Sequence, residues 1–237
     1  MIMSSRILAI IPARGGSKRL PHKNIMEFRG RPMICWTIDA ARKSGIFDEI
    51  FISTDCSRTA EIGKDCGAAV PFLRDPTDAD DMTPVWTATT NALHQFEQYR
   101  KRSYDVVVQL MANCPLRNSQ DIRNAYDYYM ERRLSFLISV FKYGWMNPWW
   151  ALTVSAPSGE PTFLFPKARK RSQDLPELYC PSGAIWIADA AQLKRQKTFY
   201  GEGWRVFPLK WQQAFDIDDM DDYQMALALA NQLFPDS

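Results

Sequence analysis

The chain has 237 residues, 29 basic and 27 acidic side chains, two histidines and five cysteines. At 46% hydrophobic and 24% charged it has enough apolar surface to offset its ordering entropy, which excludes a disordered or low-complexity protein. A net charge of +2 gives no general attraction to nucleic acid or membrane, two histidines cannot build a His-rich metal site, and no apolar run is long enough to span a bilayer.

Cys35, Cys56, Cys66, Cys114 and Cys180 form no CxxC pair and have no zinc spacing with histidine. An odd count in a long chain predicts reduced, mostly buried thiols in a cytoplasmic protein. The apolar stretch at residues 7–13 is short for a secretory leader, contains Pro12 and lacks a small-x-small cleavage site. It is read as a buried strand.

In chain order, strands are expected at residues 7–12, 49–53, 69–73, 104–110 and 136–141. Helical spacing separates them at residues 32–44, 58–66, 84–100 and 119–132, the last with Ser119 as N-cap. Continuously apolar strands alternating with helices predict an α/β fold, a doubly wound, mainly parallel sheet covered on both faces. The rhythm stops near Lys142. Residues 142–180 carry five prolines and Trp145, Trp149 and Trp150. This stretch is too long for a plain loop, so a strand-rich excursion that buries its tryptophans is expected. Strand character returns at 184–188 and 205–208, and an amphipathic helix closes the chain at 219–234. One domain over residues 1–237 is expected, with the excursion as its appendage.

The segment IPARGGSKRLPHKN at residues 11–24 follows the first strand. Arg14, Lys18, Arg19 and Lys23 place four cations within ten residues and no acid among them. Gly15 and Gly16 allow close backbone approach. At the carboxyl end of a strand this combination suits a triphosphate, held by backbone N–H groups and charge-assisted bonds. It is neither a Walker A loop nor a dinucleotide fingerprint, since the required Gly–Lys–Ser/Thr and GxGxxG spellings are missing.

Near the other end, Asp216, Asp218, Asp219, Asp221 and Asp222 put five carboxylates in seven residues. Capping of the last helix accounts for two or three of them. In extended chain Asp216 and Asp218 point to one face, and paired carboxylates suit Mg²⁺ shared with phosphate oxygens.

These segments resemble the acylneuraminate (nonulosonic acid) cytidylyltransferases, the CMP-sialic acid synthetase-like family. The basic loop resembles the family's N-terminal signature. Residues 52–55 resemble the end of its second strand, and 70–74 with Ala79 and Asp81 its cytosine and ribose segment. Residues 114–117 with Asp121 and Ile122 resemble its SPLR-x-x-x-DI motif, residues 173–185 its dimerisation and sugar region, and Asp216 with Asp218 its metal pair. The matches are collinear over nearly the whole chain.

The resemblance implies a nucleotide-diphospho-sugar transferase-like fold and transfer of CMP from CTP to the anomeric hydroxyl of a nine-carbon α-keto acid sugar, with release of pyrophosphate. Arg14, Lys23 and Asp216 would be catalytic. Ala13, Gly15, Gly16, Ser17, Lys18 and Asn24 would join Arg14 and Lys23 on the nucleotide, with Arg74, Ala79, Asp81 and Thr83 at the base and ribose. Asp216 and Asp218 would hold Mg²⁺. Asn113, Arg171, Gln173, Ser182 and Trp186 would face the sugar, although for Trp186 core or dimer packing is favoured over sugar stacking. A homodimer acting in the cytoplasm, without nucleic-acid or membrane partners, is implied.

Departures from the family pattern fall on the sugar side. Met111 stands where the sialic-acid members carry glutamine, Ser172 where they carry arginine, and Ser182 where they carry asparagine. The spelling around Arg171 is closer to the pseudaminic acid branch. That sugar, legionaminic acid and other modified α-keto sugars are the alternative acceptors, and a non-catalytic nucleotide-binding relative is the alternative class.

Overall fold

A computed structural model describes residues 5–75 and 84–234. Its centre is a six-stranded sheet in the order β10-β6-β9-β5-β1-β4. These strands are β1 (Ile7–Pro12), β4 (Glu49–Ser53), β5 (Val106–Gln109), β6 (Phe136–Lys142), β9 (Tyr179–Asp189) and β10 (Arg205–Leu209). β1 pairs in parallel with β4 and β5, and β10 pairs in parallel with β6. β9 runs antiparallel between β5 and β6. A short hairpin, β2 (Glu27–Phe28) with β3 (Arg31–Pro32), precedes the first helix.

The pleat sorts each central strand between two cores. Ile7, Ala9 and Ile11 of β1, with Val106 and Val108 of β5, pack beneath α1 (Met33–Ser44), α2 (Ser57–Asp65) and α4 (Ser119–Glu131). Leu8, Ile10 and Val107 face the opposite way, towards α3 (Val85–Arg100) and α5 (Ala190–Gln196). Both faces are covered, which is why β1 is buried at all six positions. A third cluster joins Leu20, Phe28, Leu116 and Ile217 to Ala226, Leu229 and Ala230 of α6 (Met220–Leu233). That cluster pins the loop after β1 and the segment before α6 to one sheet edge. β4 and β5 flank β1 on opposite sides, so the strand order reverses there, and the carboxyl ends of the strands open at the switch point.

Three local expectations change. Residues 69–73 form only a bridge from Ala69 to Phe51, and Pro71 has no N–H to extend a ladder. Asn118, rather than Ser119, caps α4 in a reciprocal box with Asp121. Cys35 and Cys66 are disulfide-bonded across a Cα–Cα distance of 5.6 Å, because the packing of α1 on α2 brings them into bonding range. The other three cysteines are free.

The excursion after β6 holds an antiparallel hairpin, β7 (Leu152–Val154) with β8 (Pro161–Phe163), exposed along both strands. Its tryptophans are not buried within the chain. Trp145 is 83% exposed, and Leu152, Val154, Leu164 and Phe165 are exposed around it.

Candidate active site

The basic loop leaves β1 under backbone control. Ala13 N donates to Ser53 O at 2.9 Å, and Gly15 N donates to Asp55 Oδ1 at 2.8 Å. Asp55 ends the neighbouring strand segment and fixes the turn. Gly15 is required by space: a Cβ there would lie 2.8 Å from Cys56 Cβ. Nothing lies within 4 Å of a Cβ placed on Gly16, so Gly16 contributes exposed backbone. Ser17 N reaches Gly15 O at 3.2 Å and tightens the turn. Lys18 is exposed at its tip. Across the base, buried Asn24 donates from Nδ2 to Arg14 O at 3.0 Å. The amide of Asn24 therefore braces the loop, a different use from the nucleotide contact expected of it.

The loop then meets the carboxylates. Lys23 Nζ lies 2.7 Å from Asp218 Oδ1, and Arg19 Nη2 lies 2.5 Å from Asp218 Oδ2. Partial burial works against the Asp218 charge, yet Lys23 and then Arg19 hold its pKa below the ordinary value. Among the described residues Asp216 forms no such ion pair, and feels Lys23 only at longer range. Desolvation by the surrounding protein, then the charge of Asp218, push its carboxyl up although it sits on the rim. A divalent cation relieves that like-charge pairing.

The donor set fits a hard cation. The Cys114 thiol feels the charges of Asp216 and Asp218, but burial first, then Asp216, push it up to about 12, so it stays protonated. Among the described residues no group of three or more His, Cys, Asp or Glu could hold a metal. Two carboxylates would suit Mg²⁺ if water and phosphate oxygens completed its shell.

Arg74 is buried, and its N–H donates to Thr54 O at 2.7 Å, which sets it beside the Asp55 turn. Ala79, Asp81 and Thr83 lie outside the described residues. The sugar-side expectations separate. Arg171 pairs with Asp174 at 3.0 Å, and Gln173 is exposed on the same turn of the excursion. Among the described residues neither shares a recorded contact with the basic loop or the carboxylates. Trp186 is 6% exposed and donates from Nε1 to Ser182 O at 2.7 Å, the packed placement that the sequence reading favoured over a sugar contact. Asn113 and Ser182 are buried on backbone partners, Ile217 and Ala214. Ser182 Oγ and Asn113 Nδ2 are thus spent on the backbone, while Asn113 Oδ1 is buried without a hydrogen-bond partner among the described residues.

Sequence reasoning counted Arg19 only among the loop's cations and met Asp55 and Arg117 only inside motifs, without giving any of the three an individual role. Arg117 is 2% exposed and donates from Nη1 to Ala184 O at 2.7 Å. Burial lowers its pKa to about 10. The signal for Asp55 was its place directly after a strand, at the ligand-binding edge.

The fold and this edge are those of a nucleotidyltransferase. The chain aligns with a solved structure titled as CMP:2-keto-3-deoxy-manno-octonic acid synthetase complexed with CTP, with TM-score 0.70 and 16% identity over 96% of this chain and 99% of that one. Residues 8–144 match the sequence profile of the family described as cytidylyltransferase. A pseudaminic acid cytidylyltransferase of Campylobacter jejuni is 34% identical over 94% of this chain and 95% of its own length. An N-acylneuraminate cytidylyltransferase of Streptococcus agalactiae is 33% identical over 91% of this chain, which spans 51% of that longer protein. The chain belongs to the cytidylyltransferase family, in its nonulosonic acid group.

Proposed function

We propose that the chain transfers CMP from CTP to the anomeric hydroxyl of a nonulosonic acid. The hydroxyl oxygen bonds to the α-phosphorus, the bond from that phosphorus to the bridging oxygen of the β-phosphate breaks, and pyrophosphate leaves with those electrons while the hydroxyl proton is released. The observation that carries this reading is the meeting of Lys23 and Arg19 with Asp218. It joins a cation-rich glycine loop to a carboxylate pair at the switch point of the sheet.

Charge in such a transfer spreads over the phosphate oxygens, so positioning and electrostatic stabilisation dominate. The exposed Gly16 backbone and the cations Arg14, Lys18 and Lys23 bind the triphosphate, and Asn24 and Asp55 hold the turn that presents them. Arg74, with Ala79, Asp81 and Thr83, receives the base and ribose. Asp216 and Asp218 hold Mg²⁺, which when bound adds positive charge at the transferring phosphate. The acceptor is a sialic-acid-like sugar or its pseudaminic relative, the two acids after which the similar proteins of Streptococcus agalactiae and Campylobacter jejuni are named.

The same reading includes a homodimer in the cytoplasm. The exposed apolar residues of the excursion, Trp145, Leu152, Val154 and Leu164, suit burial against a second copy. No helix among the described residues is long and apolar enough to cross a membrane.

The test is pyrophosphate release from each nucleoside triphosphate, with Mg²⁺ and a panel of sialic, pseudaminic and legionaminic acids. Release with CTP and one acid is the expected result. CTP binding without release from any acid would leave a nucleotide-binding relative in place of the enzyme.

A further inference from the structure

The segment carrying the two carboxylates is fastened at both ends by buried side chains from elsewhere in the chain. Ser182, 4% exposed, donates from Oγ to Ala214 O at 2.8 Å. Asn113, 3% exposed, donates from Nδ2 to Ile217 O at 3.1 Å, while Ile217 N donates to Asn113 O at 2.9 Å. Ile217 lies between Asp216 and Asp218. Its side chain is fully buried with Leu20 and Leu116, whereas its two neighbours reach the surface.

Ser182 is itself fixed. Ser182 O accepts from Ser139 Oγ at 3.0 Å and from Trp186 Nε1 at 2.7 Å, and Ser182 Oγ accepts from Ala184 N at 3.1 Å. Arg117 Nη1, three residues beyond Cys114, reaches Ala184 O. A line of hydrogen bonds therefore runs from the middle of β6, through the Ser182 turn, to the Ala214 carbonyl before Asp216, while Asn113 separately holds the Ile217 backbone after it. Residues 215–218, which have no regular secondary structure, carry two carboxylates that repel each other.

We propose that Asn113 and Ser182 are positioning residues that set the placement of Asp216 and Asp218 against the basic loop, rather than groups that touch the sugar. The inference rests on the reading of that pair as the Mg²⁺ site. Partners one shell out from a metal ligand typically alter metal affinity or activity by about 10–100-fold when removed. Removing the Asn113 amide leaves Ile217 O buried and unpaired, so the backbone shifts to find a donor.

The experiment uses the full chain and its Asn113→Ala, Ser182→Ala and Asp216→Asn variants. Mn²⁺ is titrated into protein saturated with CTP, without sugar, and followed by water-proton relaxation, which distinguishes the protein-bound ion from the free nucleotide complex. CTP affinity is measured separately in EDTA by calorimetry, and kcat and sugar KM by pyrophosphate release. In Asn113→Ala and Ser182→Ala, Mn²⁺ retention and kcat are expected to fall about tenfold or more. CTP affinity in EDTA and sugar KM should stay within about threefold, the usual signature of lost transition-state positioning. Asn113→Ala added to Asp216→Asn should cost nothing further, because both act through one group. If Asn113→Ala fails to fold, as circular dichroism would reveal, Ser182→Ala carries the test alone. Wild-type Mn²⁺ retention in the folded variants, or a raised sugar KM as their only defect, overturns the proposal while leaving the metal site standing. A wild-type protein that retains no Mn²⁺ with CTP removes the metal site and the positioning proposal together.

Discussion

Lys23 Nζ lies 2.7 Å from Asp218 Oδ1, across 195 residues of sequence. A cation of the proposed triphosphate loop thus neutralises one carboxylate of the proposed metal pair. On that proposal nucleotide would compete for Lys23 and Arg19, and a cation would take their place at Asp218. Metal affinity should accordingly depend on nucleotide. Mn²⁺ titrated into the protein alone should bind at least about tenfold more weakly than with CTP, a coupling of the ordinary allosteric size. Equal affinity in both titrations would show that the ion pair exerts no hold on the site. Lys23→Ala should lower kcat by about 10²–10³, the range found when one preorganised donor to a developing oxyanion is lost.

The two carboxylates respond oppositely to pH. Asp218 has a depressed pKa; its contribution to stability is present above the unfolded value of about 3.9 and is lost as pH falls through the folded one. Asp216 has a raised pKa, so its ionisation opposes folding at neutral pH, and that cost disappears once both states are protonated. Asp216→Asn should therefore melt slightly higher than the wild type at pH 7, by roughly 1–2 °C for a chain of this size. The gap should close below about pH 4, and turnover should be abolished at every pH. A variant that melts lower at pH 7 would show that the Asp216 carboxylate is stabilised in the fold.

The glycine pair separates by geometry. Gly15→Ala forces a Cβ to 2.8 Å from Cys56 Cβ, and contacts that short displace backbone. CTP affinity should fall by about tenfold, the effect of roughly 1.4 kcal/mol of strain. Gly16→Ala enters open space and should stay within about threefold of wild type. Cys56→Ala keeps the offending Cβ and should not rescue Gly15→Ala, whereas Cys56→Gly removes it and should. Calorimetry on the four variants decides the matter; rescue by Cys56→Ala would place the conflict at Sγ instead.

Much of this edge was legible because charge and glycine are local signals. The loop from Arg14 to Lys23 and the pair Asp216 and Asp218 stand out from the sequence without reference to any partner. β1 and β4 were legible for a similar reason, since strands buried on both faces read as continuous apolar runs. β9 was legible only over residues 184–188: Pro181, Ser182 and Gly183 interrupt its first half, and its pairing with β6 shifts register between Ile138 and Val140. The roles of Asn24, Asn113 and Ser182 were hidden for another reason. Each spends its polar group on the backbone of a residue remote in sequence, up to 104 positions away for Asn113, and spacing carries no trace of such a bond. The Cys35–Cys66 link joins residues 31 apart with no motif, and disulfides are uncommon in the reducing compartment that composition suggested.

The α4 cap offers a stability test remote from the chemistry. Asn118 Oδ1 accepts from Gln120 N at 2.8 Å and from Asp121 N at 3.0 Å, while Asp121 Oδ2 accepts from Asn118 N at 2.9 Å. Asn118→Ala should cost about 1 kcal/mol, read as a lower denaturant midpoint at unchanged slope. Ser119→Ala, at the position the sequence suggested, should cost much less. Equal losses would mean that the helix starts one residue later.

The apolar excursion has a consequence for assembly. Val154 is 61% exposed and Leu164 54% exposed, on the β7–β8 hairpin and directly after it. Neither supports the core of its own chain, so charged substitutions there should leave a folded protomer intact. If a second copy covers this face, Val154→Asp combined with Leu164→Arg should convert a dimer into a monomer by light scattering after size exclusion, with the far-ultraviolet spectrum unchanged. The cost of desolvating two uncompensated charges, about 2.5–3.5 kcal/mol each in an apolar setting on an insertion scale, is enough to raise the dissociation constant by at least about a hundredfold. A wild-type chain already monomeric at micromolar concentration would remove the dimer from the proposed function. A double variant that remains dimeric would move the interface to another face.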